Sequence, residues 1–310
     1  MSSPKQQEER EVRGASRREF LKTAATGAAA VMGAPGAAQA FDFESFLQKN
    51  FRQMSDEEID EVLDRLSRKY SKKYGKDVTV GAVGPMDGVV YGYGLDISRC
   101  IGCRRCVYAC VEENNQSRDP EIQWIRVLEF EREAATRGID MEDGNPYYDH
   151  EETVPAEDKF YLPMACMHCE DSPCTNVCPT GATWSDPDGI VVIDYDWCIG
   201  CRYCMAACPY GARKFNWGEP NVSAEDINPD MHLLGNRPRS RGVVEKCSFC
   251  IQRVRKGRYP ACLEACPVGA RKFGNLLDPD SEIRYLLKHK RTFVLKSELK
   301  TNPKFFYFYG

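Results

Sequence analysis

Sixteen cysteines, against four histidines, dominate the chemistry available to this chain of 310 residues. They form four groups of four with none left over. In chain order the groups are Cys100, Cys103, Cys106 and Cys110; Cys166, Cys169, Cys174 and Cys178; Cys198, Cys201, Cys204 and Cys208; and Cys247, Cys250, Cys262 and Cys266. Disulfides, zinc sites and iron–sulfur clusters all use cysteine, so the spacing has to discriminate between them.

The spacing favours iron–sulfur clusters. Groups one and three match the bacterial ferredoxin run C-x2-C-x2-C-x3-C-P, except that Val111 stands where group one would have proline. Such a loop can wrap three thiolates around one corner of a cubane, and the next helical turn carries the fourth cysteine away. Zinc remains an alternative, but it gives no reason for a third cysteine at this spacing or for the proline.

Two other uses of cysteine are less expected. Four regular quartets do not suggest a disulfide framework, and covalent haem is excluded because the sequence contains no C-x-x-C-H. His168 lies between Cys166 and Cys169, where we expect a local hydrogen-bonding group rather than a metal ligand.

Two stretches of eight residues, each beginning with the fourth cysteine of a group, have nearly the same sequence. Cys208 begins CPYGARKF and Cys266 begins CPVGARKF, and a shorter version, CPTGAT, begins at Cys178. The prolines cannot continue a preceding helix, and the glycines permit the following turn. The cationic residues near the groups could offset cluster charge, contact a partner or remain solvated. They are Arg104, Arg105, Arg202, Arg213, Lys214, Arg271 and Lys272.

The N-terminal residues resemble a twin-arginine export signal. Arg17 and Arg18 precede Phe20, Leu21 and a soft apolar run, and Ala38-Gln39-Ala40 has the form of a cleavage site. We therefore predict a signal over residues 1–40, cleaved after Ala40. This route carries folded proteins, which suits clusters that are assembled before export and would otherwise lose their thiols to disulfides.

Composition and motifs narrow the function further. The formal charge is −4, so nucleic acid is not an expected partner. No catalytic motif of a hydrolase, nucleotide-binding enzyme or zinc protease occurs, so no catalytic residues are predicted and the clusters are the chemistry. No run after the signal could span a bilayer. Membrane contact is therefore expected only through partners. The apolar tail, residues 305–309, is expected to be a docked strand, with a membrane-subunit contact as the alternative.

The elements that position the cysteines can be outlined. Ser55 and Glu58 fit a capping box that starts a helix ending near Gly75. That helix could pack on its own domain or dock on a partner. Strands are predicted at residues 91–97 and 190–195, each leading into a cluster loop, with long inserts at 111–165 and 209–246.

The motifs identify a family resemblance. CIGCRRCVYAC from Cys100 and CIGCRYCMAAC from Cys198, together with the four-group order, resemble the four-cluster subunits of dimethyl sulfoxide, polysulfide and tetrathionate reductase complexes. Related subunits occur in periplasmic hydrogenases and in membrane complexes associated with sulfite reduction. The resemblance covers roughly residues 90–275.

This resemblance implies an α+β fold of two interleaved bacterial-ferredoxin-like domains with long loop inserts and an N-terminal helical extension. The corresponding boundaries are 1–40 for the signal, 41–77 for the extension, 78–275 for the double four-cluster domain and 276–310 for a C-terminal extension. It also implies four 4Fe–4S clusters with crossed ligation. The implied ligand sets are Cys100, Cys103, Cys106 with Cys266; Cys247, Cys250, Cys262 with Cys110; Cys166, Cys169, Cys174 with Cys208; and Cys198, Cys201, Cys204 with Cys178.

The implied function is electron transfer in an exported respiratory complex at the periplasmic face of the inner membrane. The chain would connect a quinone-reactive integral membrane subunit with a catalytic oxidoreductase subunit, which often contains molybdenum in this family, and would not be an enzyme on its own. Sulfur oxyanions, polysulfide, hydrogen, nitrogen oxides and metalloid oxyanions are all compatible substrates. The alternatives are a free periplasmic polyferredoxin, which would be a stable monomer, and a zinc-stabilised interaction module.

Overall fold

The computed structural model describes residues 55–133 and 139–310, which all belong to one compact unit, Leu47–Gly310. The predicted export signal, with Arg17, Arg18 and the cleavage site after Ala40, lies outside the described residues. So does the first part of the predicted N-terminal extension.

The described residues form short helices and strands joined by long loops. The helices are α1 (Asp56–Tyr74), α2 (Arg105–Glu113), α3 (Pro173–Asn176), α4 (Tyr203–Ala206), α5 (Ile251–Val254), α6 (Ala261–Glu264) and α7 (Glu282–His289), with a 3₁₀ turn at Ser297–Leu299. The strands are β1 (Thr79–Gly81), β2 (Tyr91–Asp96), β3 (Arg126–Glu131), β4 (Lys159–Met164), β5 (Thr183–Ser185), β6 (Val191–Ile193), β7 (Lys214–Phe215), β8 (Asp230–His232), β9 (Val244–Glu245), β10 (Arg271–Asn275), β11 (Thr292–Phe293) and β12 (Phe305–Phe308).

The largest sheet has four strands in the order β10–β2–β12–β11. Strand β2 is buried along its whole length, with β10 antiparallel on one side and β12 parallel on the other. The apolar C-terminal tail is therefore a docked strand, as predicted, and it pairs with the strand that leads into the first cysteine loop.

Two glycines let a helix cover β2 closely. A Cβ at Gly92 would lie 2.7 Å from the side chain of Leu276, and one at Gly94 would lie 3.2 Å from Ile283 of α7. A larger residue at either position would force the C-terminal segment away from the sheet. The Gly-rich strand is thus the surface on which residues 276–289 pack.

Helix α1 begins and ends where the sequence predicts. Both hydrogen bonds of the capping box between Ser55 and Glu58 are present, and Gly75 ends the helix in the left-handed conformation with φ 63°. Its buried residues Leu66, Tyr70 and Tyr74 contact β1 and β8 and the loop before β8. The prediction that the helix packs on its own chain is confirmed.

Small two-stranded sheets complete the described part of the fold. Strands β3 and β4 pair antiparallel over six residues, β5 pairs with β6, β7 pairs with β9, and β1 pairs parallel with β8. The predicted strands at 91–97 and 190–195 are confirmed as β2 and β6. None of the helices in residues 55–133 and 139–310 is long and apolar enough to cross a membrane.

Candidate iron–sulfur sites

Left-handed residues shape the loops that carry the first and third cysteine groups. Gly102 and Gly200 each have φ 74°, and the next non-cysteine residues, Arg104 and Arg202, are also left-handed. A Cβ on Gly200 would lie 2.0 Å from the carbonyl oxygen of Gly242, so only glycine fits this turn. The repeated CIGCR sequence therefore produces the same loop twice.

The helices that follow these loops pack in two pairs. Helix α2, which carries Cys106 and Cys110, contacts α6, which carries Cys262. Helix α3, which carries Cys174, contacts α4, which carries Cys204. Groups one and four therefore meet at one place, and groups two and three at another. The α2 helix continues past Val111 to Glu113, as expected from the missing proline.

We call Cys100, Cys103, Cys106 and Cys266 the first centre. These four cysteines line one cavity. Burial is the main cause that raises the pKa of Cys100 to about 12. The neighbouring Cys106 and Cys266 contribute to this rise, while Arg271 opposes it. Cys266, which follows Cys100 by 166 positions in the sequence, thus shares the cavity with the ferredoxin-like loop.

The second centre comprises Cys110, Cys247, Cys250 and Cys262, all of which are buried. Burial raises the pKa of Cys110, and Cys250, Cys247 and Cys262 add to the effect. The fourth cysteine of group one therefore lies with three cysteines of group four, not with its own loop.

Two amides of the segment after α2 contact the sulfur atoms of the second centre. Gln116 Nε2 lies 3.2 Å from Cys110 Sγ, and Asn114 Nδ2 lies 3.6 Å from the Sγ atoms of both Cys110 and Cys250. Sequence reasoning missed both side chains, because an Asn or Gln in a polar loop carries no signal of sulfur contact.

The third centre comprises Cys166, Cys169, Cys174 and Cys208. Burial raises the pKa of Cys169 to about 12, with contributions from Cys166, Cys174 and Cys208, while a hydrogen bond from Thr301 lowers it. Burial also raises the pKa of Cys208, and the backbone groups of Ala212 and Tyr210 oppose that rise. Thr301 is a further residue that the sequence did not point to.

We call Cys178, Cys198, Cys201 and Cys204, which the family resemblance implies as one ligand set, the fourth centre. Cys198 and Cys204 are buried in one small core, against which Cys178 packs. Burial raises the pKa of Cys204, whereas the positive charge of Arg213 lowers it. Cys201 is the one exposed member of the sixteen cysteines, all of which the structure describes, and it lies at the tip of the loop between Cys198 and Cys204.

His168 lies between cysteine groups and acts as a local hydrogen-bonding group, as predicted. The backbone N–H of Val191 donates to its Nδ1 at 3.0 Å, and its ring stacks on Phe249 at 3.7 Å. Burial keeps the pKa of His168 well below 6.5, with Lys246 and Lys304 adding to the effect. The ring is therefore neutral and carries its proton on Nε2.

The buried donors in these regions fit iron–sulfur clusters. Nε and Nη1 of Arg213, Oγ of Ser248 and Nε2 of His168 are buried polar atoms without a protein partner. Buried polar groups are normally satisfied, so each of these atoms needs an acceptor. The thiolates and inorganic sulfides of a 4Fe–4S cluster are such acceptors. Among the described residues, no group of His, Cys, Asp and Glu side chains could hold a single metal ion.

Exposed aromatic side chains surround the fourth centre. Tyr203 is 63% exposed and Trp217 is 65% exposed, and both flank the exposed Cys201 loop. The guanidinium of Arg202 lies 4.8 Å from the Trp217 ring centre and stacks on Phe215 as well. We call the exposed side chains of Tyr203 and Trp217, together with the exposed Trp197 and Ile199, the aromatic surface.

Two of the seven cationic residues near the cysteines are buried, and the other five are exposed or half-buried. Arg105 and Arg202 are exposed, and Lys272 forms a surface ion pair with Glu282 at 2.7 Å. Arg213 and Arg271, in contrast, are buried and donate hydrogen bonds to cysteine sulfur. For these two residues, the alternatives of a solvated charge and a partner contact are wrong, because neither side chain reaches the surface.

Comparison with family models identifies the cysteine regions. Two models, each described as a 4Fe–4S dicluster domain, match this protein: one at residues 99–182, and the other at residues 157–240 and 234–276. The matches together include all four cysteine groups. The described residues between them mix short helices with strands, as expected for ferredoxin-like domains.

Three curated relatives extend the comparison to most of the sequence. The protein is 34% identical to a subunit of the selenate reductase of Mesobacillus selenatarsenatis, over 96% of its own length and 98% of the relative. It is 36% identical to the arsenate respiratory reductase iron–sulfur subunit of Shewanella sp. ANA-3, over 69% of its own length and 93% of the relative. It is 37% identical to a subunit of the anaerobic dimethyl sulfoxide reductase of Escherichia coli K12, over 63% of its own length and 76% of the relative.

Proposed function

This protein belongs to the family of iron–sulfur subunits of dimethyl sulfoxide, selenate and arsenate reductase complexes, and we propose that four 4Fe–4S clusters carry electrons through it between two partner subunits. The function class of the family is electron transfer, because iron–sulfur clusters exchange single electrons. The observation behind the proposal is that cysteines far apart in the chain lie together: Cys266 shares a cavity with Cys100, Cys103 and Cys106, and Cys110 lies beside Cys247, Cys250 and Cys262.

In this proposal, the cysteines of each centre ligate one cluster. The contacts of Cys110 with Cys247, Cys250 and Cys262 support the crossed ligand set of the second cluster. The cavity that Cys266 shares with Cys100, Cys103 and Cys106 supports the first. The first and second clusters then form one dicluster unit, and the third and fourth form another nested within it along the chain. The double domain spans residues 78–275, with residues 276–310 as the C-terminal extension.

The four clusters form a linear series in this proposal. Arg271 and Tyr93 connect the first centre to the second, since they contact Cys106 and Cys262. Cys166 of the third centre influences Cys247 of the second, so these two are neighbours. Arg213 connects the third centre to the fourth through Cys174 and Cys204.

The two ends of this series are the places where electrons enter and leave. The second centre is wholly buried, whereas the fourth has the exposed Cys201 and the first has half-buried cysteines. One end would face a catalytic oxidoreductase subunit and the other a quinone-reactive membrane subunit. The aromatic surface at the fourth centre supports a protein contact there. The chain performs no catalysis on its own in this arrangement.

Export completes the proposal. Arg17, Arg18 and the small residues before position 40 would direct the folded, cluster-loaded chain to the periplasmic face by the twin-arginine route, with cleavage after Ala40. Contact with the membrane would come through partners.

Crossed ligation gives a sharp test by single Cys→Ser substitutions in the purified complex. C110S and C262S should weaken the same cluster signal in electron paramagnetic resonance, while C103S and C266S weaken a different one. Ligation within each sequence group would instead make C110S and C103S equivalent, and this result would contradict the proposal.

Iron content and assembly separate the alternatives. The wild-type protein should hold about four iron atoms per cluster, or about 16 in total, and should copurify with membrane proteins. A stable monomer with the same iron would indicate the free polyferredoxin, and zinc without iron would indicate the interaction module.

A further inference from the structure

Arg213 and Arg271 occupy equivalent positions in two separate parts of the chain. Each stands five residues after the fourth cysteine of its group, and each follows a left-handed glycine, Gly211 or Gly269. Their side chains are 3% and 4% exposed. The two arginines therefore share the same position in the repeated eight-residue sequence, and both are buried.

The Arg213 side chain lies between the third centre and the fourth. Its Nη2 donates to Cys174 Sγ at 2.9 Å and to Thr183 Oγ1 at 2.9 Å. Cys204 of the fourth centre is buried in the same small core as Cys174, and its charge acts on the same guanidinium. One guanidinium therefore donates to a sulfur atom of the third centre and lies near a cysteine of the fourth.

The Arg271 side chain has the corresponding place between the first centre and the second. Its Nη2 donates to Cys106 Sγ at 3.1 Å, and its Nη1 donates to Tyr93 Oη at 3.2 Å. Tyr93 Oη in turn lies 3.2 Å from Cys262 Sγ. The chain of contacts runs from a ligand of one proposed cluster to a ligand of the next.

Cysteine sulfur, rather than a carboxylate, lies beside each of these buried charges. The acceptors are Cys174 Sγ and Thr183 Oγ1 for Arg213, and Cys106 Sγ and Tyr93 Oη for Arg271. Another buried arginine, Arg239, has instead a carboxylate partner, Glu245, at 2.7 Å. An isolated buried charge is costly, so the position of these two arginines depends on an anion at the cysteines.

We propose that Arg213 and Arg271 are positioning residues that each bridge the two clusters of one dicluster unit and raise the reduction potentials of both. The inference rests on the proposed four-cluster function and adds to it. Reduction adds one negative charge to a cluster, and a fixed buried cation beside the ligands stabilises that added charge. Arg213 acts on the third and fourth clusters, and Arg271 acts on the first and second.

The test is a redox titration of the purified complex, followed by electron paramagnetic resonance, for wild type, R213Q and R271Q. We expect R213Q to lower two of the four potentials and R271Q to lower the other two. A change of about tenfold in the ratio of reduced to oxidised cluster corresponds to about 59 mV for one electron. The two sets should not overlap, and the double variant should shift all four.

Two further kinds of variant separate charge from structure. K272Q removes the same charge one residue from Arg271, but the Lys272 side chain pairs with Glu282 at the surface, so all four potentials should stay at their wild-type values. R213K and R271K keep the buried charge and should restore most of the shift seen with glutamine. A purely structural arginine would not show this rescue.

Other results would overturn the inference while leaving the proposed function intact. These are glutamine variants with four clusters and unchanged potentials, an equal shift in K272Q, or no rescue by lysine. If R213Q or R271Q loses iron, the lysine variant at the same position distinguishes charge from structure. Wild-type iron content and potentials in the lysine variant support the role of the charge. Loss of two clusters from the lysine variant shows a structural role and contradicts the inference. A wild-type protein without four clusters would instead contradict the proposed function itself.

Discussion

At the scale of single residues, the second centre is surrounded by neutral hydrogen-bond donors. Tyr93, Asn114 and Gln116 are buried, and a polar atom of each lies within 3.6 Å of a cysteine sulfur atom. Hydrogen bonds to sulfur and burial are two of the properties that set a cluster potential. We therefore expect these three residues to adjust the reduction potential of the cluster proposed at the second centre.

Removing the Tyr93 hydroxyl should lower one cluster potential. In Y93F, Cys262 Sγ loses a donor, so the reduced cluster loses stabilisation. The shift should be smaller than that of R271Q, because a neutral hydrogen bond is roughly half as strong as a charge-assisted one. Redox titration of the purified complex measures this shift in potential.

Y91F is the matched control for that experiment. Tyr91 lies on the same strand, but its hydroxyl donates to the carbonyl of Val254 at 3.0 Å instead of to sulfur. An equal shift in both variants would show that aromatic packing, and not the hydrogen bond to Cys262, sets the potential.

At the scale of elements, distant strands hold the cysteine loops in place. The C-terminal strand β12 pairs with β2 immediately before the first loop, and Tyr307 on β12 is fully buried with its hydroxyl donating to the carbonyl of Pro163 at 3.1 Å. Strand β12 thus supports the first cysteine loop, which lies about 200 residues earlier in the chain.

Truncating that buried side chain should destabilise the protein strongly. Replacement of a buried aromatic residue by alanine costs roughly 3–5 kcal/mol, so Y307A should lose its cluster absorbance at lower urea than wild type. Tyr309 lies two residues later and is 54% exposed, so Y309A should change the urea midpoint of unfolding little. Similar midpoints for Y307A and wild type would show that β12 is dispensable.

His232 on β8 gives the α1 region a dependence on pH. Burial lowers the pKa of His232 from 6.5 to about 4, and its Nε2 contacts the carbonyl of Val83 at 3.0 Å. The unfolded chain then binds the proton more tightly than the folded one. The stability contribution is complete above pH 6.5 and is lost as the pH falls towards 4, by up to about 3 kcal/mol.

A neutral side chain at this position should weaken that dependence. The apparent melting temperature of H232Q should fall less than that of wild type between about pH 7 and pH 5, at one scan rate. H289Q, which changes an exposed histidine, should follow wild type. If H232Q falls as steeply as wild type, the acid sensitivity comes from other groups.

At the scale of the whole molecule, the proposed clusters run from a partly exposed first centre through a buried interior to an exposed fourth centre. Trp217 and Tyr203 stand beside Cys201 at that last point. Apolar side chains around an exposed cluster ligand would exclude water when a partner docks, which favours a protein contact over a solvated surface.

Charge on this surface should weaken assembly without removing clusters. The double variant Y203E/W217E should copurify with less of its partner subunits, while its iron content stays at the wild-type value. Y285E places the same charge at another exposed tyrosine, on α7, and should leave assembly unchanged. Undiminished copurification of Y203E/W217E would place the partner elsewhere.

Much of the local structure follows from the sequence, because it depends on residues near one another in the chain. The capping box at Ser55, the helix end at Gly75 and the repeated CIGCR loops are of this kind. The cysteine spacing also predicted the type of cofactor domain, which the family comparisons confirm.

Only the tertiary structure decided which distant groups meet and which charges are buried. Nothing in the local pattern brings Tyr93 to Cys262, or Thr301 to Cys169, since these contacts depend on how the sheet and loops pack. The sequence left Arg213 and Arg271 as solvated, partner-binding or charge-compensating residues. The fold decides between these interpretations, because it buries both guanidinium groups against sulfur, where an uncompensated charge would be costly.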